Sequence, residues 1–211
     1  FGSDADLVEM ESFVKGEKHS KNTVVLMKNA VDTDKFSYST DVREKVRKKM
    51  KISRDTLVIG HVGRFTHDKN QSFLIDIFKA VHDRDKNTVL LLVGGGEADD
   101  TLKNQIRHKV KDLGLEDSVK FLGVREDVEK VVQAFDVFLL PSLFEGLPVT
   151  MVEAQAAGLP CVISDKVPIQ CDITGNVKVV SLEDAPEKWA EVIEDVLTNF
   201  KKKDTYETIV N

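Results

Sequence analysis

Cysteine is scarce in this chain of 211 residues, and the two present, Cys161 and Cys171, make no metal-ligand spacing. A disulfide-stapled secreted scaffold needs more, so the composition favours a reducing cytoplasm. Long apolar runs are missing as well, and none approaches the roughly 18 residues a membrane-spanning helix requires. Excess positive charge is lacking: the formal net charge is −6, which argues against a general nucleic-acid binder, because phosphate partners demand a cationic surface. There is no internal repeat and no low-complexity stretch. No initiator methionine precedes Phe1, no signal-peptide pattern follows it, and the chain stops at Asn211 without a helix stop or polar tail. It reads as a fragment cut from a longer protein.

What is there is ordinary globular composition, 41% hydrophobic and 31% charged. Apolar, β-rich runs predict strands at 23–27, 56–62, 88–93, 119–122, 137–140, 160–163 and 177–180. Amphipathic stretches predict helices at 70–82, 99–113, 127–134, 149–157 and 186–200. Runs such as LVIGHV and VLLLVG are apolar throughout, as strands covered on both faces must be. Strand–helix alternation of this kind predicts an α/β fold with a Rossmann-like, doubly wound parallel sheet. Residues 1–55 behave differently. Asn29 to Asp32 read as a turn and 41–51 as a short helix, with Val42, Val46 and Met50 on one stripe and six cations filling the rest. That helix reads as a solvated surface element, with contact to an anionic membrane surface as the alternative.

In an open parallel sheet, ligands bind at the carboxyl ends of the strands. After the 56–62 run come Gly63, Arg64 and, a few residues on, Asp68 and Lys69. Asp68 is the expected N-cap of the next helix, which puts Arg64 in the loop and Lys69 on the first turn. Two cations there suit a diphosphate, the arginine as a planar fork of donors and the lysine as a point charge. After 88–93 stands Gly94-Gly95-Gly96-Glu97, where backbone can approach a ligand closely. The third glycine of a dinucleotide fingerprint is replaced by Asp99, so a tight strand-to-helix turn is the default. After 119–122, Glu126 or Asp127 can start a helix; the alternative is a base pocket, in which the backbone of Val124 and Arg125 reads the edge of a nucleobase.

The stretch PSLFEGLPVTMVEAQAAGLP, from Pro141 to Pro160, carries two glutamates, Glu145 and Glu153. VFLL before it reads as a buried strand, and Pro148 fits the first helical position, where a missing N–H costs nothing. The first amides of that helix would be free and partly positive, a site for phosphate. Glu145 then lies before the helix, and Glu153 lies roughly 7 Å further along at ~1.5 Å per residue. Two carboxylates so placed can accept hydrogen bonds from a sugar and from a ribose. The small apolar surroundings of Glu153 mean that it needs a partner.

That stretch resembles the E-x7-E signature of retaining glycosyltransferases of the group 1 type, family 4, with GT-B architecture. The resemblance runs through VGRF, KNQSFLI, LLVGGGE, VKFLGVREDV and the signature itself, and is nearest in pattern to bacterial capsular and exopolysaccharide transferases. It implies roles by position. Arg64 and Lys69, with Gly63 beside them, would hold the donor diphosphate, and Gly146, Leu147 and Pro148 would form the loop whose amides face phosphate and sugar. Glu145 would bond the transferred sugar and, with Arg64 and Lys69, act in catalysis; Glu153 would bond the ribose. Val124 and Arg125 would line the base pocket, and Gly95 would approach the donor. Ala30 stands where the family often has glycine, so Asn29 takes no firm role.

The resemblance further implies a donor domain over 23–200, a remnant of an acceptor domain or linker at 1–22, and the start of a truncated segment at 201–211. It implies a UDP-sugar donor, a saccharide or lipid-linked saccharide acceptor bound by the missing domain, no cofactor and no metal. A cytoplasmic place is expected, with peripheral contact at the inner membrane face left open, and the fragment alone is expected to be inactive. Two rivals stand beside it: a non-catalytic nucleotide-sugar-binding module, and an NAD-dependent oxidoreductase, against which the broken glycine pattern counts.

Overall fold

Six of the apolar runs become strands: β1 Leu57–Val62, β2 Thr88–Val93, β3 Val119–Gly123, β4 Val137–Leu140, β5 Cys161–Ser164 and β6 Val177–Val180. The computed structural model describes residues 31–96 and 100–200, so the run at 23–27 and the segments 1–22 and 201–211 lie outside the described residues. All strand pairs are parallel, and the sheet order is β3-β2-β1-β4-β5-β6. The helices are α1 Thr33–Phe36, α2 Thr40–Lys49, α3 Gln71–Arg84, α4 Thr101–Asp112, α5 Val128–Val131, α6 Val149–Ala156 and α7 Pro186–Asn199. The predicted 127–134 helix is a single α-turn that tightens into a 3₁₀ segment, Val132–Ala134.

Side chains alternate across the sheet, which explains why the central strands have no polar face. Leu90 and Leu92 join Leu74, Phe78, Ile106 and Trp189 on the side covered by α3, α4 and α7. Leu91 and Val93 join Phe36, Phe138, Met151 and Ala154 on the side covered by α1, α2, α5 and α6. Burial of the larger side chains removes apolar area worth about 25 cal/mol per Å². Gly60 lies under the Phe135 ring, where a β-carbon would collide.

The helix expected at 41–51 is present as α2, but its cations are not all solvated. Arg47 is buried and Arg43 nearly so, because both reach under the sheet's amino edge. Arg43 pairs with Asp136 at 2.5 Å and donates to the carbonyls of Gln133 and Phe135. Arg47 reaches Asp136 at 3.3 Å and the carbonyls of Ala134, Ser53 and Thr56. Asp136 also accepts from the Val58 N–H at 2.8 Å. The reason is satisfiability: chain entering two neighbouring strands leaves carbonyls that a planar guanidinium can serve together. Lys45, Lys48 and Lys49 keep the outer face of α2.

Because Asp136 serves two guanidiniums and one backbone amide, its loss strands buried donors. Asp136→Ala is expected to lower unfolding free energy by about 3 kcal/mol, read as a fall in the urea midpoint with an unchanged slope. A change within about 0.5 kcal/mol, normal for an isolated surface position, would show that the network is not structural.

Candidate functional site

Strand order reverses between β1 and β4, and the loops that follow these two strands converge. Divergence of the crossovers at such a point opens a crevice over the carboxyl ends. Here the loops are tied together. The Asn70 side-chain amide donates to Pro141 O at 3.1 Å, and the Leu143 N–H donates to Asp68 O at 2.7 Å. His61, buried in β1, donates from Nδ1 to Leu139 O at 3.0 Å. Its Nε2 faces the Gln71 amide at 3.4 Å, and that amide also donates to Arg64 O at 2.6 Å. A strand end, an imidazole and a helix start thus fix the loop bearing Arg64.

The expected N-cap is corrected. Asp68 lies within a 3₁₀ turn, His67–Lys69, and α3 begins after Asn70, which takes a left-handed φ of 52°. Lys69 accordingly precedes the helix instead of standing on its first turn. The extra turn swings its ammonium towards β4, where it bonds Glu145 Oε1 at 2.5 Å. Arg64 is exposed, and its guanidinium has no partner among the described residues.

Glu145 is held twice on one oxygen. Ser142 Oγ donates to Oε1 at 2.7 Å, and Ser142 is itself fixed by Ser164 Oγ, which donates to its carbonyl at 2.5 Å. The side chains of Lys69 and Glu145 keep 19% and 7% of their exposure, so this pair is screened little by solvent. Helix α6 starts at Val149, so Pro148 is its N-cap rather than its first residue, and no side chain caps that end. Gly146 and Leu147 form the bridge from Glu145 to it. Glu153 sits on the fifth residue of α6, half-buried, with no hydrogen bond or ion pair to a described residue. Burial raises its pKa above the ordinary value, partly offset by the Lys35 ammonium.

The glycine loop after β2 packs against the β1 loop. Gly94, at φ 144°, presses on Gly63 O where any β-carbon would collide, and Phe65 N–H donates to Gly95 O at 2.8 Å. A β-carbon on Gly95 would stand 2.9 Å from the Val124 side chain, so Gly95 and Val124 are neighbours. Val124 is 78% exposed, while Arg125 turns away to grip Asp127 with two bonds of 2.8 Å, leaving its backbone for any ligand. Asp99 and Glu97 lie outside the described residues. Lys69 and Glu145 thus meet at the carboxyl edge, and Gly63, Arg64, Gly95, Val124, Arg125 and residues 146–148 stand on the loops that leave it, while Glu153 lies further along α6. His61, Gln71, Ser142 and Ser164 are additional; LVIGHV carries a polar residue in an otherwise apolar strand, the one signal that could have marked His61.

Protonation of His61 would put an N–H against the Gln71 amide. Burial and the Lys69 charge hold its pKa down at about 4, against the pull of the Leu139 carbonyl. The folded pKa lies below the unfolded value near 6.5, so the stability this histidine supplies is complete above about pH 6.5 and is lost as pH falls towards 4. The loss should approach about 3 kcal/mol by linkage, and denaturation of His61→Gln across that window should show a flatter profile. An identical profile in the variant would place the acid sensitivity elsewhere.

Known proteins resemble the chain in sequence and in fold. The family model described as "Glycosyl transferases group 1" matches residues 42–208. The Bacillus subtilis (strain 168) protein EpsF, named among glycosyltransferases, is 36% identical over 183 residues, 86% of this chain and 47% of its own length. An Escherichia coli enzyme, UDP-Gal:alpha-D-GlcNAc-diphosphoundecaprenol alpha-1,3-galactosyltransferase, is 28% identical over 89% of this chain and 50% of its own length. The chain thus spans about half the length of these curated relatives. Among solved structures, Anabaena HepE in complex with UDP-glucose matches with a TM-score of 0.77 at 23% identity, covering 99% of this chain and 56% of that one. The C-terminal domain of the group 1 glycosyl transferase LpcC from Francisella tularensis matches at 0.72 and 20% identity, covering 85% of this chain and 96% of that domain. These likenesses show the fold, the α/β architecture of GT-B glycosyltransferases. With the family model covering most of its length, the chain belongs to the group 1 glycosyltransferases.

Proposed function

We propose that the chain binds a UDP-sugar as the donor half of a retaining glycosyltransferase of surface-polysaccharide synthesis. One observation carries the reading: Arg64, Lys69 and Glu145 gather at the β1/β4 switch point, in the loops leading to α3 and α6. Breaking the bond from sugar to diphosphate leaves negative charge on the β-phosphate. The Lys69 ammonium and the uncapped start of α6 are positive groups at that edge, and the exposed Arg64 guanidinium stands on the loop beside them; positive groups so placed stabilise such charge. Glu153, a half-buried carboxylate without a partner, suits the ribose hydroxyls, and exposed Val124 with the Arg125 backbone suits the base. The UDP named in the HepE complexes supports uridine as that base.

Retention by front-face attack within an ion pair fits better than a covalent route. Glu145 Oε1 already accepts from Lys69 and Ser142, which lowers its nucleophilicity. In this reading the diphosphate is met by cations of the protein, without a metal. The acceptor, a saccharide or lipid-linked saccharide, falls to the half that the longer relatives carry. No helix among the described residues is long and apolar enough to cross a membrane, and the outer lysines of α2 are the face available to an anionic membrane surface.

Calorimetry tests the reading. UDP should bind the chain at least about tenfold tighter than UMP, the scale of one charged hydrogen bond to the β-phosphate, and EDTA should leave that binding intact. Glu153→Ala should weaken UDP by about 1–3 kcal/mol. Equal affinities for UDP and UMP would overturn the diphosphate assignment, and binding restored only by manganese would overturn the metal-free one.

A further inference from the structure

Lys69 is engaged within the protein. It is bound to Glu145 Oε1 at 2.5 Å, in a pair nearly closed to solvent. Glu145 cannot follow the lysine outward, because Ser142 holds the same oxygen at 2.7 Å and Ser164 holds Ser142 at 2.5 Å. That leaves Glu145 Oε2 with no hydrogen bond to a described residue. The two ends of the pair therefore differ: one is anchored to β4 and β5, the other is a flexible lysine stem on a 3₁₀ turn.

We propose that Glu145 competes with the nucleoside diphosphate for Lys69 and so drives release of the product nucleotide, an inference that rests on the donor-site reading above. Binding of the intact donor gives both partners replacements. The β-phosphate takes the lysine, and a sugar hydroxyl donates to the glutamate, so the exchange leaves neither charge buried alone. Once the sugar has been transferred, Glu145 loses its hydroxyl while the diphosphate still holds Lys69. A carboxylate of 7% exposure is then left without its cation, and recovery of Lys69 removes that penalty by expelling the nucleotide. The carboxylate thus discriminates between donor and spent product, two ligands that share every phosphate contact.

The decisive measurement is UDP titration of the chain and of Glu145→Gln, Lys69→Met and the double variant. Glu145→Gln keeps an acceptor for Ser142 but releases the lysine, and should bind UDP about tenfold tighter than wild type, as one charged bond predicts. In the Lys69→Met background the same substitution should change UDP affinity less than about twofold. UDP binding that is unchanged or weaker in Glu145→Gln overturns the proposal, as does tightening that persists without Lys69. Wild-type protein supplies a second readout: the Glu145 carboxyl carbon resonance should move as UDP takes its partner, and a fixed resonance at saturation overturns the exchange. A wild-type chain that binds no nucleoside diphosphate defeats the donor reading itself, whereas normal UDP binding without tightening in Glu145→Gln defeats only the exchange.

Discussion

Everything at this site depends on the seam between β1 and β4. Their shared ladder is short, with Ile59 opposite Val137 and Gly60 opposite Phe138, while β1 runs beside β2 along its whole length. The ladder stops short of the carboxyl ends, where a crevice opens at the switch point of such a sheet. Side chains close the seam at both ends. Asp136, with Arg43 and Arg47, joins the chain entering β1 to the chain entering β4. His61, Asn70 and the Lys69–Glu145 pair join the chain leaving them. At the lower end Arg47 is buried, with its Nε unpartnered among the described residues, while Arg43 and Asp136 are part-buried; at the upper end His61 is fully buried and the Lys69–Glu145 pair nearly so. The first set makes a frame, and the second borders the crevice proposed as the donor site.

The frame was legible in the sequence where hydrophobic periodicity decides it. The runs TVLLLV and VFLL have no polar face, which only a strand covered on both sides explains, and the predicted bounds at 88–93, 137–140 and 177–180 coincide with the structure. Positions that rest on one hydrogen bond were less legible. Asp68 has the right residue type for an N-cap, yet the left-handed backbone at Asn70 moves the helix start past it. Nothing in a single sequence announces that turn, since asparagine tolerates positive φ without requiring it. Pro148 was displaced by one position for the same reason, because helix ends are set by local geometry more than by pattern.

Charge misleads where it is dense. REKVRKKMK carries six cations, and composition alone cannot separate a solvated lysine from an arginine that enters the protein. The partner of both buried guanidiniums, Asp136, lies far away in sequence and looks like a strand-flanking acid. Ser142 and Ser164 were invisible for a related reason. Small hydroxyls at strand ends are common, and their role here exists only because β4 and β5 lie side by side, so that one serine can hold the other's carbonyl.

The two glutamates of the signature end in unlike environments, and the proposed division of a ligand between them rests on that difference. Glu145 belongs to a loop, yet it is the more rigid, fixed through Ser142 to the sheet and neutralised by Lys69. Glu153 belongs to a helix, yet its carboxylate is the less satisfied; burial raises its pKa, and only the distant pull of Lys35 opposes that. A hydroxyl donor at Glu153 would supply what the fold withholds, so ligand binding there relieves an existing penalty. At Glu145 a ligand must first displace a partner. On the donor-site reading proposed above, the half-buried Glu153 carboxylate adds affinity at the nucleotide end, and the exchange of partners at Glu145 adds discrimination at the sugar end. On that reading the phosphates lie between the two carboxylates, over the amides that the fold leaves without a side-chain cap.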